Sequence, residues 1–209
     1  MKELKKHYKK NKELIKNRLR DFECSYKKDD KHVFSELCFC LLTPQAEAVE
    51  CDKAIKELKK TGLLFDGHPK AISPHLKAAR FLNKKAEFIV SARDLFKKNG
   101  CLRIKDHIDG KDILKTREWF VENIKGIGYK EASHFLRNIG FGKNLAILDV
   151  HVLKNLKAYG VIKEIPKSLT KKEYLRIESK LKDFCDKIKI PMDELDLLFW
   201  SKETGFIFK

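Results

Sequence analysis

The chain has 209 residues, 43% of them apolar, and this length allows one sizeable core or two small interlocked lobes. Its formal net charge of +16 favours a polyanionic partner, although a lysine-rich proteome gives the same excess and charge alone does not separate DNA, RNA and acidic membranes. No run of eighteen apolar residues occurs and the basic segment 1–16 has no apolar centre, which argues against a membrane-spanning helix and a secretory signal.

The first part of the chain is predicted to be helical. Residues 2–22 have the pattern of an amphipathic helix, and these apolar positions are expected to face inward: Leu4, Leu14, Ile15, Leu19 and Phe22. A charged loop is expected over 27–31. The apolar segment 33–42 is too long and too uniformly apolar for an edge strand, so we interpret it as a buried helix that ends before Pro44.

The remaining predicted helices show helical spacing of apolar residues between glycine, proline or polar breaks. They occupy residues 46–60, 74–98, 111–125, 129–139 and 150–159, a stretch from Ser168 or Thr170 to 188, and a stretch from about 191 to Gly205. Residues 63–74 hold two prolines and one glycine and are expected to form a loop. No period-two strand or internal repeat is visible, so the predicted fold class is all-α.

The stretch 117–152 organises the chain as helix, glycine hairpin, helix, and a return that carries an acid. Gly126 and Gly128 interrupt the helical pattern because glycine adopts backbone angles that other residues resist. The second helix has apolar residues on one face and Gly140 as its stop. A Gly-x-Gly alone is a weak signal, for which a plain helical turn is the more common explanation. In a helix-hairpin-helix, the glycines let the backbone approach a phosphate and the helix N-terminus points N–H groups at it.

Lys130 lies in the first turn of that second helix, where the helix dipole disfavours a cation. The plain interpretation is a tolerated surface lysine. The catalytic interpretation uses the same misfit, because a lysine nucleophile must lose its proton, and a usual pKa of about 10.4 leaves roughly a few molecules in ten thousand neutral at pH 7. Lowering that pKa to near 7 takes roughly 4 kcal/mol, and a helix N-terminus supplies only about 0.3–2 kcal/mol, so burial must supply most of the rest.

Asp149 follows the apolar run 145–148 and precedes a predicted helix. Its simplest role is to cap that helix. As a functional group, its carboxylate could stabilise positive charge on a deoxyribose ring or help to deprotonate the lysine. The two roles are compatible, since capping holds the carboxylate in place.

The string 125–138, with Lys130 and then Asp149, resembles the helix-hairpin-helix-Gly-Pro-Asp superfamily of DNA glycosylases. Within it, the string is similar to the archaeal-type 8-oxoguanine DNA glycosylase/lyases, and the similarity continues to Lys209, while the first hundred residues match more loosely. The resemblance implies a central helical barrel of residues 31–136 and a second helical lobe of residues 1–30 and 137–209. It also implies that the hairpin lies at the cleft between the lobes, with Lys130 opposite Asp149.

The resemblance implies roles for four further residues. Gln45 follows Leu-Leu-Thr-Pro, similar to the segment of endonuclease III-like relatives whose glutamine fills the gap left by a flipped base; an ordinary polar residue near a helix start is the alternative. Phe81 and Trp200 are candidates to sandwich an extruded purine, with a core position as the alternative for each. Lys209 is expected to reach the base pocket and help to separate 8-oxoguanine, which carries a hydrogen on N7, from guanine, whose N7 is an acceptor.

The implied activity is that of a bifunctional DNA glycosylase/AP lyase in base excision repair, acting on 8-oxoguanine in double-stranded DNA. The expected residues are Lys130 and Asp149 for catalysis, Gln45, Lys125, Gly126 and Gly128 for DNA binding, and Phe81, Trp200 and Lys209 for base recognition. Two departures bear on the lesion: Val150 stands where relatives usually have a basic residue, and the segment 76–80 lacks their Gly-His-Arg pattern.

No cofactor is expected, although the hairpin carbonyls could hold a structural monovalent cation. The six cysteines form no Cys-x-x-Cys and only Cys185 lies near the C-terminus, where some relatives hold an iron–sulfur cluster, so the cluster should be absent and the cysteines should be reduced, buried thiols. A prokaryotic, cytoplasmic monomer without a membrane partner is expected.

Two alternatives stay open at this point. The first is an enzyme of the same fold that acts on another damaged base or on abasic sites. The second is a non-catalytic helix-hairpin-helix DNA-binding module, which would need the glycines but neither Lys130 nor Asp149. The charge alone also leaves an RNA-binding role open.

Overall fold

The computed structural model describes residues 1–77 and 79–209, and in these ranges the chain is almost entirely helical. The described α-helices are α1 (Lys2–Lys27), α2 (Asp30–Leu42), α3 (Ala48–Lys60), α4 (Leu63–Asp66), α5 (Pro69–Ile72), α6 (Leu82–Phe96), α7 (Ile113–Asn123), α8 (Tyr129–Asn138), α9 (Val150–Ala158), α10 (Lys171–Ile188) and α11 (Met192–Thr204). Two 3-10 turns cover Ser73–His75 and Ile104–His107. The all-α prediction is confirmed.

The first helix is longer than the sequence predicted. α1 continues to Lys27, and α2 begins at Asp30 because the Asp29 side chain accepts the amide of His32 at 2.9 Å and caps it. The charged loop predicted over 27–31 is therefore only two residues long. Leu14, expected to face inward, is 60% exposed, so that assignment is wrong.

The region 63–102 differs most from the prediction. The expected loop over 63–74 contains α4 and α5, and the single helix expected over 74–98 is instead the turn Ser73–His75 followed by α6; Ala78, within that prediction, lies outside the described residues. A short hairpin joins β1 (Lys97–Lys98) to β2 (Cys101–Leu102). Its turn residues Asn99 and Gly100 both have positive φ, as the commonest two-residue hairpin turn requires.

The chain divides into two compact units, one made of Met1–Cys24 with Leu136–Lys209 and the other of Ser25–Phe135. The unit Ser25–Phe135 is built around α2, whose residues 33–42 are all buried. Aromatic rings fill its core. The ring centre of Phe96 lies 6.4 Å from that of Phe34 and 6.1 Å from that of Phe120, and the ring centres of Phe120 and Phe135 are 5.0 Å apart. The interpretation of 33–42 as a buried helix is confirmed.

The other unit gathers most of α1 with α9, α10 and α11. Its segment 145–148 is buried and is held by α10, because Tyr174 donates its hydroxyl to the carbonyl of Ala146 at 2.6 Å and Glu178 accepts the Ala146 amide at 2.8 Å. Gly140 has a φ of +88°, and a Cβ there would lie 2.7 Å from the Cα of Glu23. Among the described residues, no helix is long and apolar enough to cross a membrane.

Candidate active site

The glycine hairpin lies between α7 and α8. Gly126 has a φ of +86°, a left-handed conformation that favours glycine, and Ile124 and Ile127 on either side are 4% and 7% exposed. The two isoleucines anchor the hairpin in the core of the unit Ser25–Phe135, while Gly126 and Lys125 remain exposed. This arrangement presents backbone, with little side chain, at the surface.

The start of α8 is capped by its own side chain. Glu131 accepts the amide of Gly128 through Oε2 at 3.2 Å, while the carbonyl of Gly128 accepts the amide of Ala132 at 2.9 Å. This is half of a capping box, in which the third helical residue satisfies the amide of the capping residue. The Gly128 amide predicted to bind a phosphate is thus already engaged, so a phosphate would meet the later amides of the first turn or displace Glu131.

Polar contacts join the two helices of the hairpin. Arg117 on α7 is 1% exposed and donates to the Ser133 hydroxyl on α8 at 3.2 Å. Tyr129 donates its hydroxyl to the Glu118 carboxylate at 2.5 Å, and the Arg117 guanidinium lies 5.2 Å from the centre of the Tyr129 ring. Buried charge-assisted hydrogen bonds of this kind fix one geometry. They hold the first turn of α8, and with it Lys130, in a defined place.

Lys130 is mostly buried, with 20% of its side chain exposed. Its Nζ donates to Thr43 Oγ1 at 3.4 Å and lies 3.6 Å from Oε1 of Glu131. Thr43 is the C-terminal cap of α2, so the amine of Lys130 reaches the end of the central helix of its unit. Burial of this degree is uncommon for a lysine.

Two further titratable groups lie in the neighbourhood of Lys130. Lys85 on α6 is 6% exposed, and burial is the main cause that lowers its pKa, with a smaller contribution from the charge of Lys130. Burial raises the pKa of the Cys51 thiol to about 11, against the opposing charges of Lys85 and Lys130. The site around Lys130 therefore excludes much of the solvent and holds two lysines.

A cavity of about 350 Å³ adjoins the hairpin within the same unit. It is lined by Leu41, Pro44, Gln45, Phe81, Lys84, Lys85, Phe88 and Gly126. Three residues predicted from the sequence to bind DNA or base are thereby brought together: Gln45, Phe81 and Gly126. The same cavity is mostly apolar, as binding sites for planar ligands usually are.

Gln45 and Phe81 share a strained backbone. Both have a positive φ, 56° and 58°, which is rare outside glycine and costs about 1–3 kcal/mol at each position. Arg80 donates to the Gln45 side chain at 2.9 Å, and its guanidinium lies 5.2 Å from the centre of the Phe81 ring. Phe81 is 64% exposed, so its alternative interpretation as a core residue is wrong. Strained residues of this kind concentrate at functional sites.

Asp149 caps α9 in the other unit. Its Oδ1 accepts the amide of Val152 at 2.7 Å and its carbonyl accepts the amide of Leu153 at 2.9 Å, which confirms the capping role. The carboxylate is half-buried, and the neighbouring Val150 is 57% exposed. His151 carries a buried Nδ1 that has no hydrogen-bond partner among the described residues.

Trp200 on α11 is covered by the segment that follows it. Its ring centre lies 5.0 Å from that of Phe206 and 6.0 Å from that of Phe208. Gly205, with a φ of +87°, ends α11 and turns the chain back. Lys209, at the end of this segment, is half-buried.

The cysteines form no disulfide among the described residues. All six cysteines are free thiols; Cys38, Cys40, Cys51 and Cys185 are buried, whereas Cys24 and Cys101 are exposed, so the expectation of six buried thiols is wrong for those two. Within residues 1–77 and 79–209, no three His, Cys, Asp or Glu side chains are grouped so that they could hold a metal ion.

The sequence did not single out three residues of this site. Thr43 and Glu131 contact the Lys130 amine, and Lys85 binds the carbonyls of the residues on either side of Thr43. A capping-box acid three positions after Gly128 was visible in the sequence. Nothing local marks Lys85, because its burial depends on contacts with a segment more than forty residues away.

Comparisons with known proteins agree on one family. The family model named Ogg-HhH, described as 8-oxoguanine DNA glycosylase, matches residues 15–190. A Fusobacterium nucleatum protein named 8-oxoguanine DNA glycosylase/AP lyase is 46% identical over 209 residues, which cover 99% of this chain and 96% of the relative. The crystal structure of the Thermotoga maritima 8-oxoguanine DNA glycosylase matches with a TM-score of 0.89 at 36% identity, covering 100% of this chain and 97% of that one. The Methanocaldococcus jannaschii 8-oxoguanine glycosylase/lyase in complex with 15mer DNA containing 8-oxoguanine matches with a TM-score of 0.88 at 36% identity, covering 100% of both chains.

Proposed function

The chain belongs to the 8-oxoguanine DNA glycosylase family, and from this premise we propose that it removes 8-oxoguanine from DNA and nicks the resulting abasic strand as an AP lyase. The observation that carries the reaction is the lysine in the first turn of α8. Lys130 is only 20% exposed, at a helix end that disfavours its charge, directly behind the glycine hairpin. A DNA-binding module without catalysis would need the glycines of the hairpin but not this lysine.

Binding of duplex DNA is supported by the net charge of +16 and by the exposed backbone of the hairpin. Lysine and arginine side chains that neutralise phosphates release counterions, so affinity should fall steeply as salt rises. The exposed Lys125 and the backbone of Gly126 are proposed to contact phosphate. The lesion nucleotide would leave the stack at a cost of a few kcal/mol.

The proposed chemistry begins with neutral Lys130. Its amine attacks the anomeric carbon of the flipped nucleotide, the bond to the base breaks, and the base leaves with the electron pair of that bond. The covalent adduct opens to a Schiff base, and β-elimination then breaks the strand on the 3′ side of the lesion. Asp149 is proposed to stabilise positive charge on the sugar, a task for which its capped, fixed carboxylate is suited.

Base recognition is proposed for Phe81, Trp200 and Lys209. Phe81 is exposed and lines the cavity beside the hairpin, so its ring is available for stacking, which contributes about 1–3 kcal/mol per base. Trp200, packed by Phe206 and Phe208, is proposed as a second ring, and a main-chain oxygen of Lys209 as the acceptor for the N7 hydrogen of 8-oxoguanine. Gln45 is proposed to fill the space left by the flipped nucleotide.

The proposed reaction requires no metal or organic cofactor, because the lysine amine itself provides the nucleophile and the electron sink. We also propose that the protein acts as a monomer on DNA in the cytoplasm of a prokaryote, and that a structural monovalent cation at the hairpin carbonyls is not needed for catalysis. Each of these points is open to direct test.

The decisive experiment is borohydride trapping on duplexes that contain one 8-oxoguanine or one abasic site. Wild type is compared with Lys130→Gln and with Lys56→Gln, a control that removes the charge of a lysine on α3 whose side chain is 75% exposed. We expect a covalent adduct with wild type and Lys56→Gln, and none with Lys130→Gln, which should still bind DNA.

The other outcomes are equally informative. An adduct with the abasic duplex alone would keep the lyase chemistry and assign a different lesion. An adduct that persists in Lys130→Gln would move the nucleophile to another residue. No adduct with either duplex would overturn the lyase proposal and leave a DNA-binding protein.

A further inference from the structure

Lys85 makes two hydrogen bonds to backbone carbonyls at the end of α2. It lies on α6, is 6% exposed, and its Nζ donates to the carbonyl of Leu42 at 2.6 Å and to the carbonyl of Pro44 at 2.7 Å. Leu42 is the last residue of α2, so the ammonium group caps the C-terminal end of the central helix of the unit. Carbonyl groups at a helix C-terminus carry partial negative charge and favour a cation.

The same turn receives the amine of Lys130. Thr43 lies between the two carbonyls that Lys85 binds, and its hydroxyl is the acceptor of Lys130 Nζ at 3.4 Å. Two lysine nitrogens from different helices therefore meet three consecutive residues, 42–44. The next residue, Gln45, holds its strained left-handed backbone at the end of this turn.

We infer that Lys85 is a positioning residue for the glycosylase/lyase reaction, which holds the 42–45 turn against Lys130 and keeps a fixed positive charge beside the nucleophile. The inference rests on the proposed function, since it assumes that Lys130 is the nucleophile. The positive charge of Lys85, and not only its packing, should therefore affect the rate of the reaction.

The helix ends explain why the two lysines differ. Lys85 binds carbonyls at the C-terminus of α2, where a cation is favoured, whereas Lys130 stands at the N-terminus of α8, where a cation is disfavoured. The two carbonyls at the end of α2 stabilise the ammonium form of Lys85 against the effect of burial, so its charge is retained while the proposed nucleophile reacts. A like charge held nearby favours the neutral form of the other amine, which is one known way to activate a lysine nucleophile.

Within residues 1–77 and 79–209, Glu131 on α8 and Cys51 on α3 also act on the charge of Lys85. Glu131 attracts the ammonium of Lys85, and its Oε1 lies 3.6 Å from Lys130 Nζ. The Cys51 thiol has a pKa raised to about 11 by burial and stays neutral at the pH values of an assay. Burial and the charge of Lys130 lower the pKa of Lys85.

The test is the pH dependence of strand nicking at a preformed abasic site under single-turnover conditions, which removes base recognition from the measurement. Rates are measured from about pH 6 to 9.5 for wild type, Lys85→Gln, Lys85→Arg and the Lys56→Gln control, after subtraction of nicking without enzyme. We expect Lys85→Gln to move the midpoint of the profile upward by about one pH unit, which lowers the rate at neutral pH about tenfold. Lys85→Arg keeps the charge and should stay within about twofold of wild type.

Folding is checked by circular dichroism and thermal unfolding. If Lys85→Gln does not fold, Lys85→Met carries the same expectation, because its side chain fills the buried space without a charge. A profile that falls equally at every pH, with an unchanged midpoint, would assign Lys85 a structural role only and overturn the inference. Wild type that neither nicks nor forms an adduct would overturn the proposed function instead, so the two failures are distinguishable.

Discussion

Substitution of Gly126 by alanine tests the close packing of the hairpin. Gly126 has a φ of +86°, and a Cβ built on it would lie 2.3 Å from Cδ2 and 2.7 Å from Cε2 of Phe88. The left-handed backbone costs a residue with a Cβ about 1–2 kcal/mol, and displacement of a packed ring adds about 1–3 kcal/mol. We therefore expect Gly126→Ala to lower the free energy of unfolding by about 2–5 kcal/mol.

Gly62 supplies the matched control. It has a φ of +77°, but a Cβ there would have no atom within 4 Å, so Gly62→Ala should cost only the backbone term of about 1–2 kcal/mol. The difference between the two variants isolates the contribution of Phe88. The three atoms nearest to a Cβ at Gly126 all belong to the Phe88 ring. In a protein that already carries Phe88→Ala, Gly126→Ala should therefore lower the free energy of unfolding by no more than Gly62→Ala lowers it in the wild-type protein.

The assay is urea unfolding of the four single and double variants, followed by titration of an undamaged duplex at fixed salt. Loss of one hydrogen bond from a hairpin amide to phosphate costs about 1.5–3 kcal/mol of binding free energy, or roughly tenfold or more in affinity. We expect this loss of DNA affinity for Gly126→Ala and not for Gly62→Ala. Equal unfolding costs for Gly126→Ala with and without Phe88 would refute the steric argument. Unchanged DNA affinity would refute the role of the hairpin backbone.

Three further outcomes are expected. Asp149→Asn should leave unfolding within a few tenths of a kcal/mol, because Asn caps a helix as well as Asp, yet should strongly slow base excision measured on an 8-oxoguanine duplex. Asp193→Asn should stabilise the protein at neutral pH, since burial raises the pKa of the Asp193 carboxyl. Because the folded pKa lies above the unfolded value of 3.8, the wild-type protein loses stability as the pH rises from 3.8 through the folded pKa. The urea midpoint of the variant should therefore exceed that of wild type at neutral pH, and the difference should vanish in acid. Dialysis against EDTA should leave borohydride trapping unchanged, because the proposed nucleophile is an amine.

The parts of the site that follow from local chemistry were predictable from the sequence. Gly126 marks the hairpin because only glycine readily adopts its backbone angle, and Asp149 marks a helix start because its side chain can accept an amide two or three residues on. Apolar spacing placed α8 to within one residue of its observed end. These signals depend on only a few neighbouring residues, so they can be recognised without knowledge of the tertiary fold.

Long-range contacts account for the errors. The helix expected over 74–98 is broken before Leu82, where Phe81 takes a left-handed backbone, and the cavity that contains Phe81 also contains Gln45, thirty-six positions earlier. The spacing of apolar residues does not predict that Phe81 and Gln45 line the same cavity. The turn Asn99-Gly100 was, by contrast, a readable hairpin signal, and the strands beside it escaped because each is only two residues long.

Lys85 and Lys130 show what a sequence pattern omits about a charged side chain. Both stand among 46 lysines and arginines, and local sequence gives each the same plain interpretation as a solvated surface lysine. In the structure Lys85 is 6% exposed and the Lys130 side chain 20%, and helix direction distinguishes the two, because one meets the carbonyl end of α2 and the other begins α8. A helix end contributes only about 0.3–2 kcal/mol, so neither dipole alone makes an amine reactive at neutral pH. The two helix ends act in opposite senses on these lysines, since the carbonyl end of α2 favours a cation and the start of α8 disfavours one.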